Sequence, residues 1–170
     1  RRSPVLILEG LLLAAGATTG FLAGRMREEA DGAKARAAML EQLATFTAEL
    51  AEERGEEAIV GVIVRHVAGV DDGSAVHLSA EGERLVIRHA VPSGLALDWP
   101  EWQAAERAFR RGIEEARTAP GWSGSAYTFV ALDRGGGVIG YRPGMASRRV
   151  EGLAEPLRRT MLQQGQVALE

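Results

Sequence analysis

The pattern of hydrophobic and polar positions changes period along this chain, and each change predicts a different element. From Val5 to Gly24 polar residues nearly vanish: the run holds no Lys, Arg or Asp and a single carboxylate, Glu9. A helix of that length rises about 30 Å, the hydrocarbon thickness of a bilayer. Pro4 stands just before it, where a helix has unpaired N–H groups to spare, and Arg1, Arg2, Arg25 and Arg27 flank the two ends. Residues 1–24 therefore read as a membrane anchor. Over residues 25–57 Ala, acids and Arg intersperse without Pro, which predicts a stalk helix continuing from the anchor. Within it Met39, Leu43, Phe46 and Leu50 follow one another by four and three residues, the spacing of a short coiled-coil seam or of a stripe packed on the chain's own domain.

After Gly55 the period shortens. Ile59 to Val64 is apolar and β-branched and predicts a buried strand. Val70 to Ser74 has turn chemistry. Ala75 to Ala80 and Arg84 to Val91 alternate as a hairpin across Glu81-Gly82. Asp98 then caps a helix with Pro100 in its first turn and Trp102, Ala105, Phe109, Ile113 and Ala116 on its apolar stripe, ending at Thr118 to Gly121. A second hairpin is expected from Ala126 to Tyr141, turning at Asp133 to Gly137. An amphipathic helix carrying Val150, Leu153, Leu157 and Met161 follows, kinked or divided at Pro156. The expected fold is α+β: a transmembrane helix, a stalk helix, then over residues 58–170 a mostly antiparallel sheet covered on one face by two helices, in the order β-β-β-α-β-β-α.

Two features of the apolar run point to a partner helix. Gly16, Gly20 and Gly24 recur every four residues and share one ridge of a helix, where a second helix approaches closely. Glu9 is costly in hydrocarbon, by about 2.5–3.5 kcal/mol at mid-bilayer, so it faces either the interface or a partner's cation. Other readings of the run are a signal peptide, which Glu9 disfavours, and a nucleotide-binding turn. Leu11 to Gly24 superficially resembles the strand–turn–helix of short-chain dehydrogenases. Its glycines are spaced four and four, and a long polar helix follows in place of a second strand, so neither geometry nor context fits.

Composition narrows the function classes. The 170 residues carry a net charge of −3, which offers no basic field for nucleic acid. Cysteine is absent, excluding disulfides, thiolate nucleophiles and cysteine-held metals. His66, His77 and His89 fall on consecutive expected strands. With Glu81-Gly82 as the turn, His77 faces Val86 and His89 points to the other side, which argues against a zinc site. Gly121 to Ser125 approaches a nucleophile elbow but ends in Ser where Gly is required and leads into a strand. The glycines at 135–137 lack the Gly-Lys-Ser/Thr of a phosphate loop. The pairs Arg110-Arg111, Arg148-Arg149 and Arg158-Arg159 are interleaved with Glu114, Glu115, Glu151 and Glu155 and read as a solvated mixed surface.

No catalytic group, cofactor or metal is expected. The sequence favours a single-pass membrane-anchored scaffolding or accessory subunit of a bacterial envelope complex. It acts through other membrane subunits or self-association, with Glu9, Gly16, Gly20, Gly24, Met39, Leu43, Phe46 and Leu50 as interface candidates. Pilins offer an alternative, because Glu9 is fifth counting from Val5 and a long helix runs into a sheet; Pro4 departs from their processing site, which requires glycine. A small-ligand sensor is the other alternative. Arg25, Arg27, Lys34 and Arg36 outnumber Arg1 and Arg2, which by the positive-inside rule favours a cytoplasmic domain. A short tail ending in Arg-Arg suits a signal anchor that exports its domain, and the extracytoplasmic side is preferred.

Overall fold

The computed structural model describes residues 3–82, 84–114, 124–132, 136–144 and 151–169, without the side chains of 3–25, 27, 28 and 151–153. Four helices and four strands follow in the order α1 (Ser3–Glu52), α2 (Glu56–Gly69), β1 (Ser74–Glu81), β2 (Arg84–Val91), α3 (Trp99–Arg111), β3 (Thr128–Ala131), β4 (Val138–Arg142) and α4 (Glu151–Ala168). The chain divides into two compact units, Arg1–Leu40 and Glu41–Glu170. Among the described residues no helix is long and apolar enough to cross a membrane. Of Glu9, Gly16, Gly20 and Gly24 only the helical backbone is described, and Gly121 to Ser123, Arg148 and Arg149 lie wholly outside the described residues.

The α+β class and the antiparallel sheet hold, but the element expected as the first strand is a helix. Ile59 to Val64 lies within α2, which starts after Gly55 turns the chain at φ 103° and places Glu56 and Glu57 in its first turn. A short β-branched run does not by itself distinguish a strand from a helix buried on most sides. Here α2 is buried at Ile59, Val60, Val62, Ile63, Val64 and Val67, pressed between α4 and the sheet. Burial on several faces outweighs intrinsic strand preference. Gly165 of α4 permits the approach, because a Cβ there would collide with the Ile63 side chain.

The sheet order is β2-β1-β4-β3, all antiparallel. Its two faces are covered by different helices. Val76, Leu78, Val138 and Phe129 pack against Ala104, Ala105 and Ala108 of α3. Alternate strand residues point the other way, toward α2 and α4. The two-helix cover expected on a single face is therefore corrected to helices on both faces. Close packing on the α3 face depends on Gly140, where a Cβ would run into the Phe129 ring and lie 3.1 Å from Val76 Cγ1.

Capping explains where α3 begins and ends. The Asp98 N–H donates to Glu101 Oε2 at 2.8 Å, half of a capping box. At the other end Gly112 takes the left-handed conformation, φ 62°, and its N–H bonds back to Ala108 O. The helix thus stops at Arg111, short of the expected Thr118, and leaves Ile113 exposed. In the C-terminal region α4 runs through Pro156 as one element. Leu157 and Met161 are buried as the apolar stripe predicts.

Candidate functional site

The β1–β2 hairpin builds the most distinctive polar site. Its turn is displaced by one residue from the expected one: Glu81 pairs with Arg84, and Gly82 takes φ 64°. A bulge then interrupts the ladder between His77 and Leu78, so that His77 sits opposite His89 and Ser79 opposite Val86. The extra residue rotates the remainder of β2 by one side-chain position. This overturns the expectation that His77 and His89 point to opposite faces. Their rings stack at 6.0 Å between centroids, inclined by 29°.

Both histidines face α2. Gly61 makes room for the His89 ring, since a Cβ there would lie 3.5 Å from His89 Cε1. Around the pair is a cavity of about 500 Å³ whose lining includes Glu56, Glu57, Val60, His77, Arg88 and His89. It adjoins a more open cleft of about 1000 Å³ running along α2 to Arg65 and Val91.

Hydrogen bonding fixes the state of His77. Its Nε2 lies 2.9 Å from Gly136 O, and a carbonyl oxygen only accepts, so Nε2 carries the proton. Gly137 allows this close arrangement at φ 104°; a Cβ there would collide with Leu78 O. Burial lowers the His77 pKa from the ordinary 6.5, opposed by the bond to Gly136. The ring is therefore neutral near pH 7, and its other nitrogen, Nδ1, is an acceptor. That Nδ1 is buried and has no hydrogen-bond partner, and the same is true of His89 Nε2. His77 as a whole is only 6% exposed. A buried polar atom left unpaired costs about 1–3 kcal/mol, which a donor at this place recovers.

The remaining polar groups set the sign of the site. Arg88 is engaged by Glu81 and by Ser79, the latter at 3.1 Å. Glu56 and Glu57 are exposed at the rim. The uncommitted complement is thus acceptor-rich: two carboxylates and a neutral imidazole nitrogen. Among the described residues no group of three or more His, Cys, Asp or Glu is placed to hold a metal ion. Stacked rings also do not direct their in-plane lone pairs to a common point.

A second polar cluster lies between α4 and the α2–β1 turn. Arg158, 2% exposed, pairs with Asp71 at 2.5 Å and lies over the Tyr141 ring at 5.5 Å. The Tyr141 hydroxyl donates to Glu155 at 2.8 Å. Burial and that carboxylate both push the Tyr141 pKa up. Arg159 is held by Glu155 at 3.3 Å and Glu114 at 3.2 Å. The Arg158-Asp71 pair is a buried support, whereas sequence reasoning placed Arg158 on a solvated surface.

The end of α1 packs on α2. Phe46 is fully buried and meets the His66 ring edge-on at 5.4 Å. Glu49 accepts from Arg65 at 2.8 Å and lies 3.1 Å from His66 Nε2. His66 therefore belongs to a helix, not to the strand expected for it. Of the stalk candidates, Phe46 is consumed by the chain's own domain, while Met39, Leu43 and Leu50 are half-buried. Glu56, Glu57, Arg88 and Gly136 were not singled out from sequence, because only the bulge and the helical state of α2 bring them to the histidine pair.

No protein-family model matches the chain, and no curated protein matches it. Among solved structures it is similar to the native GAF domain of the potassium sensor histidine kinase KdpD from Escherichia coli. The two are 21% identical, with a TM-score of 0.57 over 75% of this chain and 90% of that one. At this identity the likeness speaks for the fold alone: the chain carries an α+β domain with a GAF-like arrangement of sheet and helices.

Proposed function

We propose that this protein is a single-pass membrane-tethered sensor module whose domain binds a small polar ligand in the cavity beneath the first turn of α2. The observation that carries this reading is His77, a buried neutral imidazole whose Nε2 is fixed by Gly136 and whose Nδ1 acceptor lacks a partner. The acceptor-rich lining suits a ligand bearing N–H donors, such as an ammonium or guanidinium group. Membership of a potassium sensor kinase by the structurally similar GAF domain gives this reading further support. The apolar run from Val5 to Gly24 is the proposed anchor, with the domain on the extracytoplasmic side. The first turn of α2 borders the cavity, and its Arg65 and His66 hold Glu49 in the last turns of α1.

Agmatine, with an ammonium at one end and a guanidinium at the other, is a suitable probe; inorganic phosphate is its opposite-charge control. Agmatine is expected to raise the melting temperature of the full chain in detergent, and His77→Phe to abolish that rise. Stabilisation by phosphate and not by agmatine would contradict the assigned polarity. Membrane extraction tests the tether separately, since partition of the full chain to the soluble fraction removes it.

A second reading, an accessory subunit acting through protein contacts, is favoured by the exposed Met26 and Leu40 on α1. In that case the ligand site regulates a complex in place of a signalling output.

A further inference from the structure

The stripe that the sequence offered as a coiled-coil seam is turned inward at Phe46, and α1 exposes a different one. Met26, Ala30, Ala33, Ala37 and Leu40 follow by four, three, four and three residues and are all exposed. Met26 is 67% and Leu40 66% exposed, unusual values for large apolar side chains. Ala44 and Ala51 continue the same steps and are exposed as well, while Thr47 between them donates to Gln164 of α4 at 3.2 Å. Counted backward in the sequence, the steps meet Ala23, Thr19 and Gly16. A sustained three-and-four spacing places one narrow apolar edge along a helix, the edge that pairs in a two-stranded coiled coil.

The residues flanking this edge identify the occupant. Glu29 and Arg36 precede seam positions on one side; Lys34 and Glu41 follow seam positions on the other. In a parallel in-register pair, each flank residue meets the one five positions later in the second helix. Those meetings are Glu29 with Lys34 and Arg36 with Glu41, both of opposite sign. The same edge therefore complements a copy of itself. We propose that α1 forms a parallel homodimer along Met26, Ala30, Ala33, Ala37 and Leu40. Small alanines let the helices approach closely, and Met26 and Leu40 supply the larger apolar contacts. The parallel sense rests on the proposed membrane anchor, because chains inserted the same way present α1 in the same direction. The seam itself is independent of the ligand reading.

The absence of cysteine gives a clean crosslinking background. Single Ala33→Cys, Ala37→Cys and off-seam Ala38→Cys variants of the full chain, reconstituted in vesicles, are oxidised and scored for covalent dimer. Dimer at positions 33 and 37, and not at 38, is expected. Equal crosslinking at all three positions, or none, overturns the seam. Crosslinking only when Ala33→Cys and Ala37→Cys chains are mixed indicates an antiparallel pair and overturns the proposed direction. As a second readout, light scattering in detergent follows the dimer in Arg36→Glu, which is expected to dissociate roughly tenfold more readily. The double variant Arg36→Glu, Glu41→Arg restores it if the flank pairing is right; continued weakness in the double variant overturns that pairing. Soluble partition of the chain would remove the anchor while leaving the crosslinking result to stand on its own.

Discussion

The two faces of the sheet solve different problems with the same strands. Toward α3 apolar contact dominates: Val76, Leu78, Phe129 and Val138 meet three alanines of α3, Gly140 makes space for the Phe129 ring, and the buried Ser74 and Tyr127 hydroxyls satisfy each other at 2.8 Å. Toward α2 and α4 the same strands bury His77 and Tyr141, beside the Arg158–Asp71 pair. Apolar contact supplies stability without chemical specificity. Buried polar groups return little net stability but hold defined orientations. The contrast teaches where to look for function in this fold: on the face that accepted a desolvation cost.

Breaking the apolar face is expected to have the largest effect. Phe129→Ala removes a fully buried ring and is expected to cost about 3–5 kcal/mol in denaturant unfolding. Its effect on agmatine binding, measured below the unfolding transition, is expected to be small. A comparable loss of binding would erase the distinction between the faces.

On the polar face, Asp71→Ala removes the nearer of the two carboxylates paired with the buried Arg158 guanidinium, leaving it only Glu155 at 3.5 Å. The expected loss is roughly 3 kcal/mol, recovered in large part by adding Arg158→Met, which removes the stranded charge. Absence of recovery in the double variant, again by denaturant unfolding, would show that the pair does more than satisfy its own burial.

His77 gives a smaller and pH-dependent effect. Burial holds its folded pKa below the ordinary value, so the unfolded chain binds the proton more readily. Stability is then lost as pH falls through 6.5 toward the lower folded value, and is retained above 6.5. His77→Phe is expected to flatten that slope in melting curves between about pH 7 and 5, while changing stability at pH 7.5 by under about 1 kcal/mol. An unchanged slope would place the titrating group elsewhere.

Glu49→Gln gives the smallest expected effect. The His66 imidazole, 3.1 Å away, lowers the Glu49 pKa, with burial opposing and the Arg65 guanidinium assisting. Its contribution is present above the ordinary carboxylate value of 4.5 and fades as pH falls through the lower folded value. The substitution is expected to shift the melting temperature slightly at pH 7 and not at pH 3; equal shifts would assign the effect to packing.

These features were unequally visible in the sequence. The hairpins, the capped α3 and the final amphipathic helix follow from turn residues, Asp98 and the spacing of Leu157 and Met161, all local signals. The helical state of Ile59 to Val64 was not visible, because it depends on being covered from several sides. Neither was the histidine pair: a bulge at His77/Leu78 decides which face each ring occupies, and no residue type in β2 announces it. On α1 two stripes share the same spacing, and only burial of Phe46 shows which one the domain uses.

Histidine-selective ¹⁵N NMR of the full chain in detergent, with and without agmatine, asks whether His77 Nδ1 is the acceptor for the ligand. His77 Nε2 is expected to stay protonated and bonded to Gly136, while the Nδ1 resonance moves as agmatine binds. Binding that leaves His77 Nδ1 unmoved, or a free-state tautomer protonated at Nδ1, would contradict that role.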